Sequence, residues 1–496
     1  MNAGVGHARI VSTLDRVGAR RTLQRAGVVE EPGFPVPTDP PEVAQLLSDA
    51  TFAARLIELA RSTDRDPGEV RVEAAGYLRE MGATHTELAT RSWARFSDWL
   101  SRAHDLVLDP EQLRRLRALD RKQSLLFLFS HRSYLDGVAM PVALAQNGIA
   151  PPFVLAGANL SFFPFNHLVR RSGFVYVRRA TADVPVYRVV LRWYIAQLIR
   201  NRRNLSWSIE GGRTRTGNLR PPVYGILRYV IDALDTGTTA EALIVPVSIV
   251  YEQLHEVQLI TSEAHGGKKR PEDLHWLWNY GRSQGRRLGR AYLDFGEPLP
   301  VRGRLAELRA EDPAGPHVVE RIAIETCHRI NRATPVTATA IVCVAMLAAD
   351  RALSLDEVLA TVTPLARYIE DRGWPVAGAA NLTDRATIRR TLDDLVHTGS
   401  SPATTAAPRP SGGSVRINTS WPPSTATRPS TCSSIGRSAR SGSSPRRRAR
   451  TGWTQPGAAG GDGGQRHRRP GRQAAPGTPG PAAGPGPRDQ PSPGGH

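Results

Sequence analysis

Apolar side chains in the first part of the chain recur at the three- and four-residue spacing of an α-helix. The spacing is clearest over Val43–Ser62 and Val72–Met81, and the proline-rich stretch Pro32–Pro41 interrupts it. We therefore predict an accessory helical region over residues 1–105.

The pattern changes at about Leu106, where short apolar runs begin to alternate with helical segments. Val186–Ile199 and Val223–Leu234 are the clearest helices, and the second follows a Pro-Pro pair, which is common at a helix start. The runs predicted as strands are Leu125–Phe129, Phe153–Leu155, Phe174–Val177, Leu205–Ile209, Leu243–Tyr251 and Tyr292–Phe295. This alternation predicts an α/β domain over residues 106–316.

Helical spacing returns over residues 317–398, with Leu355–Tyr368 and Thr387–Leu395 as predicted helices. The composition then changes abruptly, because no Leu, Phe, Tyr or Met occurs from Ser400 onward. Residues 399–496 are rich in Pro, Gly, Ser, Ala and Arg and cannot form a core. They are either a disordered basic tail or a stretch translated out of frame from GC-rich DNA, and both interpretations stay open.

The formal net charge of +19 is unevenly distributed along the 496 residues. The segment from Ser400 to the end contains 14 Arg, no Lys and 2 acidic residues, so it accounts for most of the excess. The remainder is only mildly basic, which suits an enzyme with anionic substrates or a contact with anionic lipid. A nucleic-acid or anionic-membrane binding protein that acts through the tail is the alternative from another functional class.

Three further features of the sequence concern the cell compartment in which the protein acts. Cys327, Cys343 and Cys432 have neither metal-ligand nor redox spacing, so we expect no zinc site and no disulfide framework. Residues 1–15 contain no continuous apolar stretch, so no secretory signal is expected. The longest apolar run, Ala338–Ala349, is shorter than the roughly 20 residues that span a bilayer, so we predict no membrane-spanning helix.

A histidine and an aspartate separated by four residues follow the first predicted strand, as His131 and Asp136. Open α/β folds build their sites where strands end, so the imidazole is expected at the mouth of the sheet. If a turn intervenes, Asp136 can accept the Nδ1 proton and leave Nε2 free to take a proton from an alcohol. Taken alone, the motif is better explained by a structural histidine.

Two adjacent arginines, Arg178 and Arg179, end the strand predicted at Phe174–Val177. A guanidinium fork matches the geometry of a phosphate group, and at least one of the two would be presented at the sheet edge. An isolated arginine pair is more often solvated surface charge.

A third motif follows the strand predicted at Leu205–Ile209, where Glu210 and two glycines precede Arg213. Gly211 and its neighbour let the backbone turn tightly, so the segment can form a cradle for an oxyanion or a phosphate. A glycine-rich turn with incidental arginines is the structural alternative. In a fourth motif, Pro246 interrupts an apolar strand, which argues for an edge strand or a bulge.

These four motifs, in this order, resemble the four acyltransferase blocks of the glycerol-3-phosphate acyltransferase family, particularly its bacterial membrane-associated branch. The resemblance covers roughly residues 70–395 and continues through Gly267-Lys268-Lys269 and Phe295-Gly296-Glu297-Pro298. It implies an α/β fold with a mixed central sheet flanked by helices and extended by accessory helical regions at both ends.

The resemblance also implies roles for individual residues. His131 and Asp136 would form the catalytic dyad. The residues implied to bind substrate are Arg179, Glu210, Gly211, Arg213 and Pro246. The chain departs from the family's pattern at Thr214, where serine is more common, and at Asn218, where a basic residue is more common. One expected positive charge is therefore missing, which can alter affinity for the acyl donor or for glycerol phosphate.

The activity that the resemblance implies is acyl transfer to the sn-1 hydroxyl of glycerol 3-phosphate, giving lysophosphatidic acid, the first step of phospholipid biosynthesis. The acyl donor would be a thioester of coenzyme A or of acyl carrier protein, with no metal and no other cofactor. We expect a peripheral protein on the cytoplasmic side of the cell membrane, with no specific nucleic-acid partner. The nearest alternative is an acyltransferase acting on dihydroxyacetone phosphate or on a lysophospholipid.

Overall fold

The computed structural model describes residues 40–397, with gaps at 158–164, 179–182, 215–216, 236–240, 255, 257–278, 283, 286, 314 and 350. Beyond residue 397 it describes only Ala403–Thr405 and Val415–Ile417, two strands that pair antiparallel. Most of the predicted tail, Arg179 and the Gly267-Lys268-Lys269 motif therefore lie outside the described residues. The four domain ranges given above stay predictions.

Eight strands of the described chain form one sheet. They are β1 (Asp105–Leu108), β2 (Ser124–Phe129), β3 (Phe153–Gly157), β4 (Phe174–Val177), β5 (Leu205–Ser208), β6 (Ala242–Tyr251), β7 (Arg290–Phe295) and β8 (Leu299–Pro300). Their order is β1-β7-β6-β2-β5-β3-β4, with β8 also paired to β6. All pairs are parallel except those of β6 with β7 and with β8. The predicted mixed α/β sheet is confirmed, and all six predicted strands are present.

Helices cover both faces of the sheet, and further helices precede the first strand and follow the last strand of the sheet in sequence. They are α1 (Pro41–Ser48), α2 (Ala50–Ser62), α3 (Pro67–Met81), α4 (Glu87–Ser101), α5 (Pro110–Asp120), α6 (Asp136–Gln146), α7 (Phe165–Arg170), α8 (Pro185–Arg200), α9 (Gly225–Asp235), α10 (Val301–Glu311), α11 (Val318–Ala333), α12 (Ala338–Leu347), α13 (Leu355–Asp371) and α14 (Arg385–His397). The predicted helices are all present. The sequence pattern did not single out β1, β8 or the helices α4, α5, α6, α7, α10, α11 and α12. The two strands are short and pair with partners far away in the chain.

Local capping explains where several helices begin. The Asp49 carboxylate accepts backbone N–H bonds from Thr51 and Phe52, which separates α1 from α2. Ser354 and Glu357 form a reciprocal capping box at the start of α13. These contacts satisfy amide groups that would otherwise have no partner at a helix start.

The central strand β2 is buried at all six positions, as expected for a strand covered on both faces. Leu126 and Leu128 pack into a cluster with residues of α1, α2, α3 and α8. Leu125, Phe127 and Phe129 point the other way, into a second cluster with residues of α5 and α6. The alternation fixes which face each side chain occupies and holds the carboxyl end of β2 rigidly in the sheet.

Pro246 does not lie on an edge strand, so of the two alternatives given above, an edge strand or a bulge, the edge strand was wrong. The strand β6 lies between β2 and the pair β7 and β8, and Pro246 stands opposite Leu128 of β2. On the other side β8 pairs up to Ile244 and β7 begins at Val247, so the proline falls between two successive partners. Its carbonyl accepts the Gly296 N–H at 2.8 Å. The missing N–H therefore falls where the antiparallel ladder is already interrupted.

Helices α12, α13 and α14 build a separate buried cluster, which includes Ile341, Val362 and Leu392. The apolar run Ala338–Ala349 is the α12 helix and the turn after it, and it packs within this cluster. Among the described helices, none combines the length and the apolar character needed to cross a bilayer.

His85 is predicted to make stability depend on pH. Both ring nitrogens are shielded from solvent, and the ring packs edge-on against Phe153 with 4.8 Å between centroids. Burial, reinforced by the nearby Arg203, lowers the pKa of His85 to about 4. Protonation of His85 is disfavoured in the folded state, whereas the unfolded chain takes up this proton below about pH 6.5. The stabilisation that comes from the neutral imidazole is therefore fully present above that pH and is lost as the pH falls toward 4. The free energy of unfolding should fall by about 2 kcal/mol between pH 7.5 and 5 through this group.

The measurement is urea unfolding at both pH values for the wild type and His85→Leu. The leucine variant should lose about 2 kcal/mol less than the wild type, because it has no imidazole to protonate. Equal losses in the two proteins would contradict the assignment of the pH dependence to His85.

Candidate active site

The first and third sequence motifs meet at the carboxyl end of the sheet. Phe129, the last residue of β2, stands opposite Ser208 of β5 and Val247 of β6. The loops that follow are joined by backbone bonds, since the Ile209 N–H donates to Phe129 and the Thr214 N–H donates to the His131 carbonyl at 2.8 Å. The parallel register thus places residues far apart in the sequence side by side.

A turn joins His131 to Asp136, as the dyad requires. Asp136 is the first residue of α6 and is fully buried, and its Oδ2 lies 3.0 Å from His131 Nδ1. The same oxygen accepts the backbone N–H groups of Arg132 at 2.6 Å and Ser133 at 2.8 Å. The start of the helix and the turn therefore hold the carboxylate against the imidazole.

The imidazole of His131 is oriented for proton transfer. With Nδ1–H donating to Asp136, the lone pair lies on Nε2. No described residue makes a hydrogen bond to Nε2, and the side chain is 25 % exposed. A substrate hydroxyl that reaches this nitrogen can therefore give up its proton to it.

Tyr251 supplies a further contact that the sequence motifs did not single out. Its hydroxyl donates to Asp136 Oδ1 at 2.6 Å from the end of β6. Burial, together with the charge of Asp136, raises the pKa of Tyr251 well above its ordinary value, so the phenol stays a donor. The residue was visible only as the last apolar position of a strand.

Glu210 holds two loops together. It is 2 % exposed, and its two carboxylate oxygens accept the backbone N–H groups of His131 and Arg220, both at 2.9 Å. Burial raises the pKa of Glu210, while these two bonds act in the opposite direction. The carboxylate was expected to contact substrate, but its bonds are to the backbone on either side of the site.

Gly211 occupies a position that favours glycine. Its φ of 63° lies in the left-handed region, and a Cβ built there would stand 2.9 Å from Cγ2 of Val223. The tight turn after β5 therefore depends on this residue, which sends the chain back toward the first motif.

Arg213 is brought to the first motif through Tyr134. Its Nη2 donates to the Tyr134 hydroxyl at 3.2 Å, and its guanidinium carbon lies 4.3 Å from the centre of that ring. Tyr134 belongs to the turn between His131 and Asp136. The structure therefore places this guanidinium against a residue of the dyad turn, and its role toward substrate stays a prediction.

Of the two arginines after β4, the structure describes the contacts of Arg178, whereas the role of Arg179 stays a prediction. Arg178 makes two hydrogen bonds to Glu80, at 2.8 and 2.6 Å, and packs over the rings of Tyr77 and Tyr187. It is therefore engaged in holding β4 to α3. Arg179 lies outside the described residues, although β4 ends at the same edge of the sheet as β2.

Comparison with family models gives two matches. Residues 108–250 match the model described as acyltransferase, and residues 261–405 match the model described as glycerol-3-phosphate acyltransferase C-terminal region. The second match ends close to the change in composition at Ser400.

Similar proteins carry related names. A Mycobacterium tuberculosis protein provisionally named acyltransferase plsB1 is 57 % identical over 384 residues, covering 77 % of this chain and 62 % of the relative. The chain thus spans less than two thirds of that protein's length. A protein from Pseudoalteromonas translucida named glycerol-3-phosphate acyltransferase is 28 % identical over 66 % of this chain and 42 % of its own length.

A solved structure gives a weaker likeness. The crystal structure of the 1-acyl-sn-glycerophosphate acyltransferase PlsC from Thermotoga maritima aligns with a TM-score of 0.30 and 15 % identity. The alignment covers 53 % of this chain and 85 % of that one.

Proposed function

We propose, from the premise that this chain belongs to the glycerol-3-phosphate acyltransferase family, that it transfers an acyl group to the sn-1 hydroxyl of glycerol 3-phosphate. The observation that carries the proposal is the His131–Asp136 pair at the end of β2, with Arg213 bonded to Tyr134 of the turn that joins the pair. A base and a cation at one sheet edge suit a substrate that joins a hydroxyl to a phosphate.

In this mechanism His131 is the general base and Asp136 holds it in position. Nε2 takes the proton of the sn-1 hydroxyl while the oxygen attacks the thioester carbonyl. The tetrahedral intermediate collapses, the carbon–sulfur bond breaks, and the imidazolium returns the proton to the departing thiolate. The products are lysophosphatidic acid and a free thiol. No covalent enzyme intermediate is needed, because the substrate supplies its own nucleophile.

The phosphate of the acceptor is assigned to arginine. Arg213 is half-buried beside the dyad turn, and a guanidinium donates bidentate hydrogen bonds to phosphate oxygens. Arg179 remains proposed as a second phosphate ligand, because β4 ends on the same side of the sheet. Gly211 and Pro246 are proposed to shape the site through the backbone.

The acyl donor and the place of action are also proposals. We propose a thioester of coenzyme A or acyl carrier protein as donor, with no metal. A peripheral position on the cytoplasmic face of the membrane would let the lipid product enter the bilayer directly.

A substrate panel tests the proposed function. The full chain is incubated with a labelled acyl thioester of each donor type and with glycerol 3-phosphate, dihydroxyacetone phosphate or a lysophospholipid as acceptor. We expect 1-acyl lysophosphatidic acid from glycerol 3-phosphate, with the position of the acyl group read by mass spectrometry. Preference for either other acceptor would replace the proposal by the related activity, and absence of transfer with every pair would remove it.

Arg213→Ala is expected to raise the KM for glycerol 3-phosphate by about 10- to 100-fold, since a hydrogen bond between charged groups contributes about 1.5 to 3 kcal/mol. The KM for the acyl thioester should change little. The KM of Arg213→Lys for glycerol 3-phosphate should lie between those of the wild type and Arg213→Ala, because lysine keeps the positive charge but lacks the planar guanidinium fork. The matched control is Arg228→Ala, which removes an exposed arginine paired with Glu320. An unchanged KM in Arg213→Ala would contradict the phosphate assignment.

A further inference from the structure

Glu256 is a buried carboxylate that neither matched family region includes. The residue is 3 % exposed and lies between the regions matched by the two family models. Its Oε1 accepts three hydrogen bonds, from Ser133 Oγ at 2.6 Å, Tyr134 N–H at 3.1 Å and Tyr280 hydroxyl at 3.0 Å. Buried carboxylates are costly, so one with three directed donors has a definite structural task.

Two of the three donors belong to the turn that joins the dyad. Ser133 gives its backbone N–H to Asp136 and its hydroxyl to Glu256, and that hydroxyl oxygen also accepts the Leu135 N–H at 3.2 Å. Asp136 therefore binds the turn from the helix side, while Glu256 binds it from the segment after β6. Without Glu256 one side of the turn loses its fixed acceptor.

The contact with Tyr134 extends the network toward Arg213. Tyr134 gives its backbone N–H to Glu256, and its ring and hydroxyl receive Arg213. Tyr280 completes the arrangement, with its ring edge-on to Tyr134 at 5.9 Å between centroids. One carboxylate thus contacts a segment that carries both the base and the partner of the arginine.

We propose that Glu256 is a positioning residue that sets the orientation of His131 and Arg213 together, by fixing the turn at Ser133 and Tyr134. The proposal rests on the proposed acyl transfer. A misplacement of about 1 Å in a reacting group can lower a rate by about 10²-fold. Because the turn carries contacts to both substrate groups, loss of Glu256 is expected to change kcat and the acceptor KM at once.

The main variants are Glu256→Ala and Glu256→Gln. Alanine removes the acceptor, so kcat should fall by about 10²-fold and the KM for glycerol 3-phosphate should rise, with the KM for the thioester unchanged. Glutamine keeps one oxygen that can accept the same three hydrogen bonds, so it should restore most of the activity. Failure of glutamine to restore more activity than alanine would overturn the positioning role.

Glu252 provides a matched control in the same segment. It also accepts a backbone N–H, from Arg290 at 2.9 Å, and a tyrosine hydroxyl, from Tyr292 at 2.8 Å. These partners lie on β7 and not on the dyad turn. Glu252→Ala should therefore lower the thermal midpoint while leaving kcat and both KM values near those of the wild type. An equal loss of kcat in Glu252→Ala and Glu256→Ala would show a general folding effect and would overturn the proposal.

A second measurement does not depend on turnover. The ¹⁵N chemical shifts of the His131 imidazole report which ring nitrogen carries the proton, and His131→Ala identifies the signal. In Glu256→Ala the Nδ1 shift should move away from its wild-type value, whereas in Glu252→Ala and Glu256→Gln it should stay. Unchanged shifts in Glu256→Ala would overturn the proposal.

Different results would contradict the positioning role of Glu256 and the proposed acyl transfer. A wild-type protein that transfers no acyl group removes the proposed function, while the imidazole shifts still test the contact between Glu256 and the turn. An active wild type with an equally active Glu256→Ala removes only the positioning role. If Glu256→Ala does not fold, a double-mutant cycle of Ser133→Ala with Glu256→Met replaces it, because methionine keeps the volume of the side chain and removes its carboxylate acceptor. Additive losses of kcat in that cycle would contradict an interaction between Ser133 and Glu256, and non-additive losses would support it.

Discussion

His131→Ala is expected to lower kcat for acyl transfer by about 10²- to 10⁴-fold, because general-base catalysis contributes on this scale. The only described nitrogen positioned to take the substrate proton at this turn is Nε2, since Nδ1 is bonded to Asp136. The KM for glycerol 3-phosphate should change little, because the phosphate is assigned to arginine. A labelled-thioester assay under saturating substrate gives kcat directly.

The fold should survive this substitution. The His131 backbone N–H bonds to Glu210 and its carbonyl accepts from Thr214, and alanine keeps both contacts. The thermal midpoint should therefore stay close to that of the wild type. His397→Ala, at the exposed end of α14, is the control histidine substitution and should leave kcat unchanged. Appreciable turnover by a folded His131→Ala protein would refute the base assignment.

Asp136→Asn is expected to lower kcat by about 10³-fold and also to destabilise the protein. The carboxylate accepts from His131 and from two backbone N–H groups at Oδ2, and from Tyr251 at Oδ1. An asparagine amide offers one oxygen acceptor, so its NH₂ group must face a donor. The imidazole then loses the contact that keeps the proton on Nδ1. Leaving buried donors without a partner should cost about 2 to 3 kcal/mol in the free energy of unfolding.

Asp109→Asn is the matched control for this substitution. Asp109 also accepts backbone N–H groups at a helix start, from Glu111 and Gln112 of α5, but it contacts no histidine. It should leave kcat unchanged and cost little stability, because asparagine is itself a good N-cap residue. Urea unfolding and the acyl-transfer assay are run on both variants. A kcat for Asp136→Asn within a few-fold of the wild type would contradict the dyad.

The strands were predictable because each is a short apolar run whose pattern is local. β2 and β6 are buried at every position, and such strands stand out against polar loops in any single sequence. β1 escaped the pattern because two of its four residues are exposed and it lies at the edge of the sheet. The residues of its partner β7 lie far along the chain, outside any short stretch of sequence around β1.

The chemistry of the site was predictable in part. His131 and Asp136 lie five positions apart, so their pairing needed only an intervening turn, and the structure has one. Glu210 was noticed as a carboxylate after a strand, but its use as an acceptor for the His131 and Arg220 amides depends on the neighbouring loop. The edge position expected from Pro246 was wrong, since a proline is tolerated inside the sheet where one partner strand ends and another begins.

The sequence by itself determined the class of fold, the location of six strands and the candidate residues His131, Asp136 and Arg213, because these follow from local periodicity and residue type. Tertiary structure alone decided the strand order that places Phe129 beside Ser208 and Val247. It also decided the contacts of Tyr251 and Glu256 with the dyad turn. The physical reason is that such hydrogen bonds join groups more than a hundred residues apart, and only the packing of the sheet and its helices brings them within reach.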